Sequence, residues 1–447
     1  MKGWFKRLFQ SNKKAAKPVY YFTHIPKTAG TSFIVLLDRF FDANTIYPYQ
    51  LWREAKDIDV ENNQRYDLFR GHFGGGGVTV LTDRNIEYLT ILRTPASLAL
   101  STYEFVKRES NTKVHQLVKE KNMSFAQFMQ HPMTAPLVKN RMIRNISFDF
   151  VEDPAAQEVF LSAETIEYLQ SIIEKQRAPI SDFERLRRAQ KFIGLSCWFG
   201  LLERFDDSMQ LLCYTMGWPP IGASQKLNTH DRKQKLSSQE QSVLEQANAE
   251  DLSLYQYASG LFEHKLDDMN QQLEALRTSP DQTVDDLLDI HYQQQQAVKE
   301  NRISAPSTYD FSQKLLGQQW HRRELIQPEN EYFRWTGPNN RASIDFWVEP
   351  KDYCIRIRII NATSPGLLDT LQITINGHPV TWNSTDQGVV RIITLDCPQR
   401  LIKANGLLRL GLRCQSMISH QQAFGSDDER LVGVAVHWIQ FDDVEQA

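Results

Sequence analysis

Nine consecutive residues, His24-Ile25-Pro26-Lys27-Thr28-Ala29-Gly30-Thr31-Ser32, set a lysine, a glycine and three hydroxyl side chains between two apolar segments. The segment before them, Val19-Tyr20-Tyr21-Phe22, has the composition of a strand, and Phe33-Ile34-Val35-Leu36-Leu37-Asp38-Arg39-Phe40 has helical spacing. A strand, a tight loop and a helix start together make an anion cradle. The first backbone N–H groups of the helix and its positive end face the anion, and Lys27 adds a point charge. In the nucleotide loop G-x-x-x-x-G-K-[ST] the lysine follows the second glycine, whereas here Lys27 precedes Gly30.

Two further segments carry chemistry. Leu89-Thr90-Ile91-Leu92-Arg93-Thr94-Pro95 reads as a strand that ends at Arg93, with Pro95 opening a helix that carries Ser101 two turns later. Arg93 would present a forked pair of donors to a phosphate, and Ser101 a hydroxyl. In Leu68-Phe69-Arg70-Gly71-His72-Phe73-Gly74-Gly75-Gly76-Gly77, His72 supplies an imidazole, a group whose ordinary pKa is near neutral and which can accept a proton from a hydroxyl. The glycine run admits either close backbone approach or a mobile lid. His24 reads as a residue that orients the loop.

Elements that position these residues follow from hydrophobic patterning. Val19–Ile25, Ile86–Leu92 and Phe192–Leu202 are short, continuously apolar runs of the kind that form buried parallel strands, with helical patterns such as Ser124–Met129 and Ala163–Lys175 between them. Such alternation predicts an α/β layer over residues 18–262. Leu266, Met269, Leu273 and Leu276 recur at helical spacing, and after Ser279-Pro280-Asp281 a second helix carries Leu287, Leu288 and Ile290, which makes 263–304 a helical connector. From 305 to 447 the pattern becomes β-rich. Ile355, Ile357 and Ile359 alternate with Arg356 and Arg358, and Asn376-Gly377 marks a hairpin, as in a β-sandwich or jelly roll.

A chain of 447 residues exceeds the usual single-domain size, and a net charge of −3 gives no global attraction to nucleic acid. Any acidic substrate needs a local basic patch. Five cysteines without a C-x-x-C pair argue against a disulfide framework or a structural zinc, and suit packed thiols in a reducing compartment. No run is long enough to span a bilayer. The basic segment 1–17, with Trp4, Phe5, Leu8 and Phe9 beside Lys2, Lys6 and Arg7, reads as a disordered tail, or as a weak interfacial membrane helix.

The loop His24–Ser32 resembles the 5′-phosphosulfate loop of sulfotransferases, in the version found in carbohydrate sulfotransferases of the uronosyl 2-O-sulfotransferase type. The Arg93/Ser101 pair resembles that family's site for the 3′-phosphate, with Thr94 where the family has Asp, and Gly71-His72 resembles its general-base segment. The resemblance covers roughly 18–262. It implies a P-loop-like parallel sheet flanked by helices, the sulfotransferase fold. It also implies transfer of a sulfuryl group from 3′-phosphoadenosine 5′-phosphosulfate to a carbohydrate hydroxyl, without a metal. His72 would be the base and Lys27 would stabilise the leaving oxygen. Lys27, Thr28, Ala29, Gly30, Thr31, Ser32, Arg93 and Ser101 would hold the donor. Lys139–Arg144 is similar to an Asn-x-x-x-Arg family helix, which would bring Asn140 and Arg144 to the substrate, and Arg232, Lys233 and Lys235 would close over the nucleotide. Arg108, Arg141, Arg144, Arg185, Arg187 and Arg188 could meet an acidic sugar, with surface charge as the plainer role. Trp320 and Trp335 could stack on sugar rings or pack in a core. The family's Golgi anchor is not matched, so a cytoplasmic, bacterial-type enzyme is expected, as a monomer or a homodimer. A small-molecule kinase of P-loop type and a non-catalytic glycan-binding protein are the alternatives; protein tyrosine is a further acceptor class.

Overall fold

The computed structural model describes residues 17–51, 54–55, 59–110, 114–148, 180–222, 236–298, 302–387 and 390–444. The basic tail, Ala163–Lys175 and the segment with Arg232, Lys233 and Lys235 therefore lie outside the described residues. The chain divides into two compact units, one of Met1–Ile34, Thr45–Thr215 and Ala223–Gln271, the other of Val35–Asn44, Met216–Gly222 and Gln272–Ala447.

In the first unit, strands β1 (Val19–Thr23), β2 (Leu68–Gly71), β3 (Ile86–Leu92) and β4 (Trp198–Leu201) form a parallel sheet of order β2-β1-β3-β4. Their side chains are nearly all buried, as expected of strands covered on both faces. Helix α1 (Gly30–Asp38) follows β1, and its Phe33 ring lies between Phe22 (4.7 Å) and Trp198 (5.0 Å). Helix α2 (Pro95–Arg108) follows β3 with Pro95 in its first turn. Helix α3 (Arg141–Ile146) precedes α4 (Asp182–Leu195), and the long helix α5 (Ala249–Glu274) comes late in the chain.

The run Phe192–Leu202 is not one strand. Arg185, Ala189, Phe192 and Ile193 are buried at helical spacing in α4, which Ser181 caps by accepting from the Glu184 N–H at 3.2 Å, and only Trp198–Leu201 is extended.

In the second unit, α6 (Val284–Ala297) precedes the β-rich region. Strands β5 (Ser307–Asp310), β6 (Gly317–Gln318), β7 (Glu324–Ile326), β8 (Glu331–Trp335), β9 (Arg341–Trp347), β10 (Tyr353–Ala362), β11 (Gln372–Ile375), β12 (His378–Val380), β13 (Asn383–Gln387), β14 (Val390–Cys397), β15 (Leu407–Arg413), β16 (Ile418–Ser419), β17 (Leu431–Val432) and β18 (Val434–Asp443) pair antiparallel throughout. One sheet runs β13-β14-β10-β18-β8-β7, with β5 also on β18, and another β12-β11-β15-β9-β6. Ile355, Ile357 and Ile359 of the first and Ile344, Leu408 and Leu410 of the second belong to one buried cluster. The β-rich C-terminal region agrees with the sequence reading, as do Asn376 and Gly377, both at positive φ in the β11–β12 hairpin. Trp320 and Trp335 are buried, at 7% and 2% exposure, which leaves neither a face for a sugar.

The expected fold class needs correction. The described residues show a parallel sheet of four strands, β2-β1-β3-β4, beside several antiparallel sheets that hold most of the strands. A P-loop-like sulfotransferase fold does not emerge from this arrangement.

Arg409 of β15 links α6 to the second sheet. It donates to Asp345 (2.8 Å) and to Asp289 (2.7 Å), and the Asp345 side chain is 1% exposed. Removing the guanidinium strands a buried carboxylate. Arg409→Met should therefore cost about 3–5 kcal/mol in urea unfolding, and a loss under about 1 kcal/mol would show that the pair does not hold the sheet.

Candidate functional site

The chemistry-bearing residues emerge from the C-terminal ends of three adjacent parallel strands: Lys27 after β1, His72 after β2 and Arg93 after β3. In open parallel sheets this edge is where ligands bind. The register sets Thr23 opposite Gly71, and the His24 N–H donates to the Gly71 carbonyl at 3.0 Å, so His24 and His72 leave the sheet side by side. Their rings stack with centroids 4.2 Å apart.

His72 Nδ1 lies 2.9 Å from the carbonyl oxygen of His24. A carbonyl can only accept, so the proton sits on Nδ1 and the lone pair on Nε2. Burial depresses the His72 pKa to about 4; Arg141 pushes the same way, against the bond to His24. The pKa of His24 is held well below the usual imidazole range, first by burial, then by His72, Arg141 and Lys27. Both rings are neutral at pH 7, the state a proton acceptor needs.

Gly30 is required by this stack, because a Cβ there would lie 2.0 Å from Cδ2 of His24. The glycine run is used for close approach rather than as a lid. A Cβ on Gly75 would lie 1.9 Å from the Ile146 carbonyl, and the N–H groups of Gly75 and Gly76 donate to Asn145 and Phe148 at 2.9 and 2.8 Å.

Lys27 and Ala29 adopt left-handed backbone, φ 75° and 61°. For non-glycine residues this costs of order 1–3 kcal/mol each, and such strain gathers at functional loops. Arg93 Nη1 donates to the Lys27 carbonyl at 3.0 Å, so the first and second motifs meet. The Lys27 ammonium rests 4.2 Å above the Phe105 ring, and α2 presents Ser101, Phe105 and Arg108 at helical spacing. The Lys27 pKa is lowered by burial first, then by Arg108, Arg141 and Arg93, with only Glu109 opposing. Four cations thus share one field beside the start of α1, where the first hydrogen bond of the helix runs from the Phe33 N–H to the Ala29 carbonyl. The N–H groups of Gly30, Thr31 and Ser32 have no partner within the helix.

Three candidate residues differ from their expected use. The hydroxyl of Thr28 is buried and donates to the Ile25 carbonyl at 2.8 Å, so it shapes the loop and only its backbone can face an anion. Asn140 is 1% exposed. Its amide donates to Asp182 (3.2 Å) and Glu250 (2.5 Å), which makes it a brace for α3 rather than a substrate ligand. Arg144 donates to the Pro136 carbonyl at 2.7 Å.

The residue between them matters more. Arg141 donates to Thr102 Oγ1 at 2.8 Å, burial lowers its pKa to about 10, and its charge bears on His24, Lys27 and His72 together. Asp251 of α5 anchors the start of α3, accepting from the N–H groups of Met142 and Ile143, each at 2.9 Å. No local pattern marks Arg141, because its position depends on this distant carboxylate. Among the other arginines, Arg187 and Arg188 pair with Glu184, and Arg185 is buried on α4.

Among the described residues, no group of three or more His, Cys, Asp or Glu could hold a metal ion. No described helix is long and apolar enough to cross a membrane.

No family model matches the chain. No curated protein matches it. Among solved structures, a family GH115 4-O-methyl-α-glucuronidase with specificity for decorated arabinogalactans aligns at 8% identity and a TM-score of 0.19. That alignment covers 80% of this chain, which spans about half (51%) of the other protein. A likeness this low carries no argument about fold or activity, and it lends no support to a sulfotransferase fold.

Two outcomes follow from the stacked pair. Gly30→Ala must displace the His24 ring and should cost about 1–3 kcal/mol in thermal or chemical unfolding; an unchanged midpoint would contradict the packing. The folded pKa of His72 lies below that of the unfolded chain, so between pH 6.5 and about 4 the unfolded state binds more protons and acid removes stability. Asp251, with its pKa raised to about 7 by burial, acts in the opposite direction over this window. The comparison is therefore between the parent protein and His72→Gln. The parent should lose more stability from pH 6.5 to 4 than the variant, and parallel pH profiles would contradict it.

Proposed function

We propose that the protein is a sulfotransferase that moves a sulfuryl group from 3′-phosphoadenosine 5′-phosphosulfate to a carbohydrate hydroxyl. The observation that carries this reading is the bond from His72 Nδ1 to the His24 carbonyl, which leaves Nε2 as acceptor beside the Lys27 loop. The reading rests on the loop and its chemistry, together with their resemblance to carbohydrate sulfotransferases, and not on the fold.

Nε2 of His72 takes the proton of the acceptor hydroxyl as its oxygen attacks sulfur. The new S–O bond forms in line with the bond that breaks. The bridging oxygen leaves with the electron pair as part of the 5′-phosphate, and Lys27 stabilises the charge that develops on it. The N–H groups of Gly30, Thr31 and Ser32 hold the 5′-phosphate, while Arg93 and Ser101 face the 3′-phosphate. The cluster of Lys27, Arg93, Arg108 and Arg141 suits so highly charged a donor. All five cysteines are unpaired, which supports a reducing compartment such as the cytoplasm.

Calorimetric titration with adenosine 3′,5′-bisphosphate tests the donor assignment, with ATP and adenosine 5′-monophosphate as controls. Binding should need the 3′-phosphate and fall at least about tenfold in Arg93→Ala, as expected for loss of a charge-assisted hydrogen bond. With a sugar acceptor, His72→Gln should lower turnover by about 10²–10⁴-fold. Equal affinity for ATP, or full turnover without His72, would overturn the reading.

A further inference from the structure

A second anion-binding arrangement lies in the β-rich unit, on residues that the transfer chemistry does not use. Arg413, at the end of β15, stands directly opposite Arg341 of β9 on one side and Gln372 of β11 on the other. Their chain neighbours Ala342, Ile373 and Leu412 are buried, so Arg341, Arg413 and Gln372 share the outward face, and all three are exposed.

Like charges directly opposed across antiparallel strands destabilise the pair. Among the described residues no carboxylate relieves this one. Among the described residues neither arginine forms an ion pair, and the Arg413 side chain has only a 3.5 Å contact with Gln372 Oε1. Arg409, on the same strand, is by contrast neutralised by Asp345 and Asp289. Arg413 lines a cleft of about 400 Å³ together with Asn340, Thr370, Gln372, Cys414 and Gln415, and Arg341 adjoins it as the cross-strand partner of Arg413 and the chain neighbour of Asn340. Three amides and a hydroxyl offer the paired donors and acceptors that neighbouring sugar hydroxyls require. A guanidinium fork matches a carboxylate or a sulfate ester. No aromatic ring lines the cleft, so recognition must run through charge and hydrogen bonds.

We propose that this cleft binds an anionic sugar, with its carboxylate or sulfate ester held between Arg341 and Arg413.

The test is titration of the full chain at low salt with glucuronic acid and with glucose 6-sulfate, against glucose and inorganic sulfate, in the parent, Arg341→Gln and Arg413→Gln. At least one charged sugar should bind tenfold or more tighter than glucose and than inorganic sulfate, and either variant should lose tenfold or more. Which charged sugar binds identifies the substituent. Thermal midpoints of both variants should stay level or rise, since each removes a repulsion. Equal binding of glucose, inorganic sulfate as good as the sulfated sugar, or charged-sugar binding unchanged in both variants would each overturn the proposal. So would a fall of several degrees in both midpoints, which would assign the arginines to holding the sheet.

Discussion

The hydrogen bond between His72 Nδ1 and the His24 carbonyl organises everything around the loop. It exists because β1 and β2 run parallel with Thr23 opposite Gly71, which brings the next residues of both strands out together. The 4.2 Å stack of the two rings then needs Gly30 beneath His24, so the strand register constrains the first residue of α1. One acceptor atom therefore fixes a tautomer, a ring orientation and the identity of a residue six positions along the chain. The remaining lone pair, on Nε2, is the one free to do chemistry.

Positive charge is the second constraint. Lys27, Arg93, Arg108 and Arg141 come from a loop, a strand end and two helices, and after burial the three arginines add to the cost of ionising Lys27. Burial first, and this field after it, hold the histidines neutral, and the same field attracts a polyanion, so base and binding site share one charge distribution. The loop strain at Lys27 and Ala29 belongs to the same design, since Arg93 braces the Lys27 carbonyl.

Legibility in the sequence followed sequence separation. The loop His24–Ser32, the strand end at Arg93 and the β-rich C-terminal region could be read because a few adjacent residues determine each. Thr28 was harder, since a buried hydroxyl bound to Ile25 looks the same in sequence as one bound to phosphate. Asn140 and Arg141 exchanged importance for a tertiary reason: Asn140 is spent on Asp182 and Glu250, and Asp251 sets the helix that carries Arg141. Phe192–Leu202 misled because apolar continuity does not distinguish a helix end from a strand when only Ser196 and Cys197 separate them. The fold class was overread from local motifs, which specify a strand, a loop and a helix but not how many strands follow or how they pair.

The most direct test of the account is the protonation state of His72, read by long-range ¹H–¹⁵N correlation of the imidazole nitrogens at pH 7. The account predicts a neutral ring with the proton on Nδ1 and a bare Nε2. A proton on Nε2, or a fully protonated imidazolium at that pH, would contradict it.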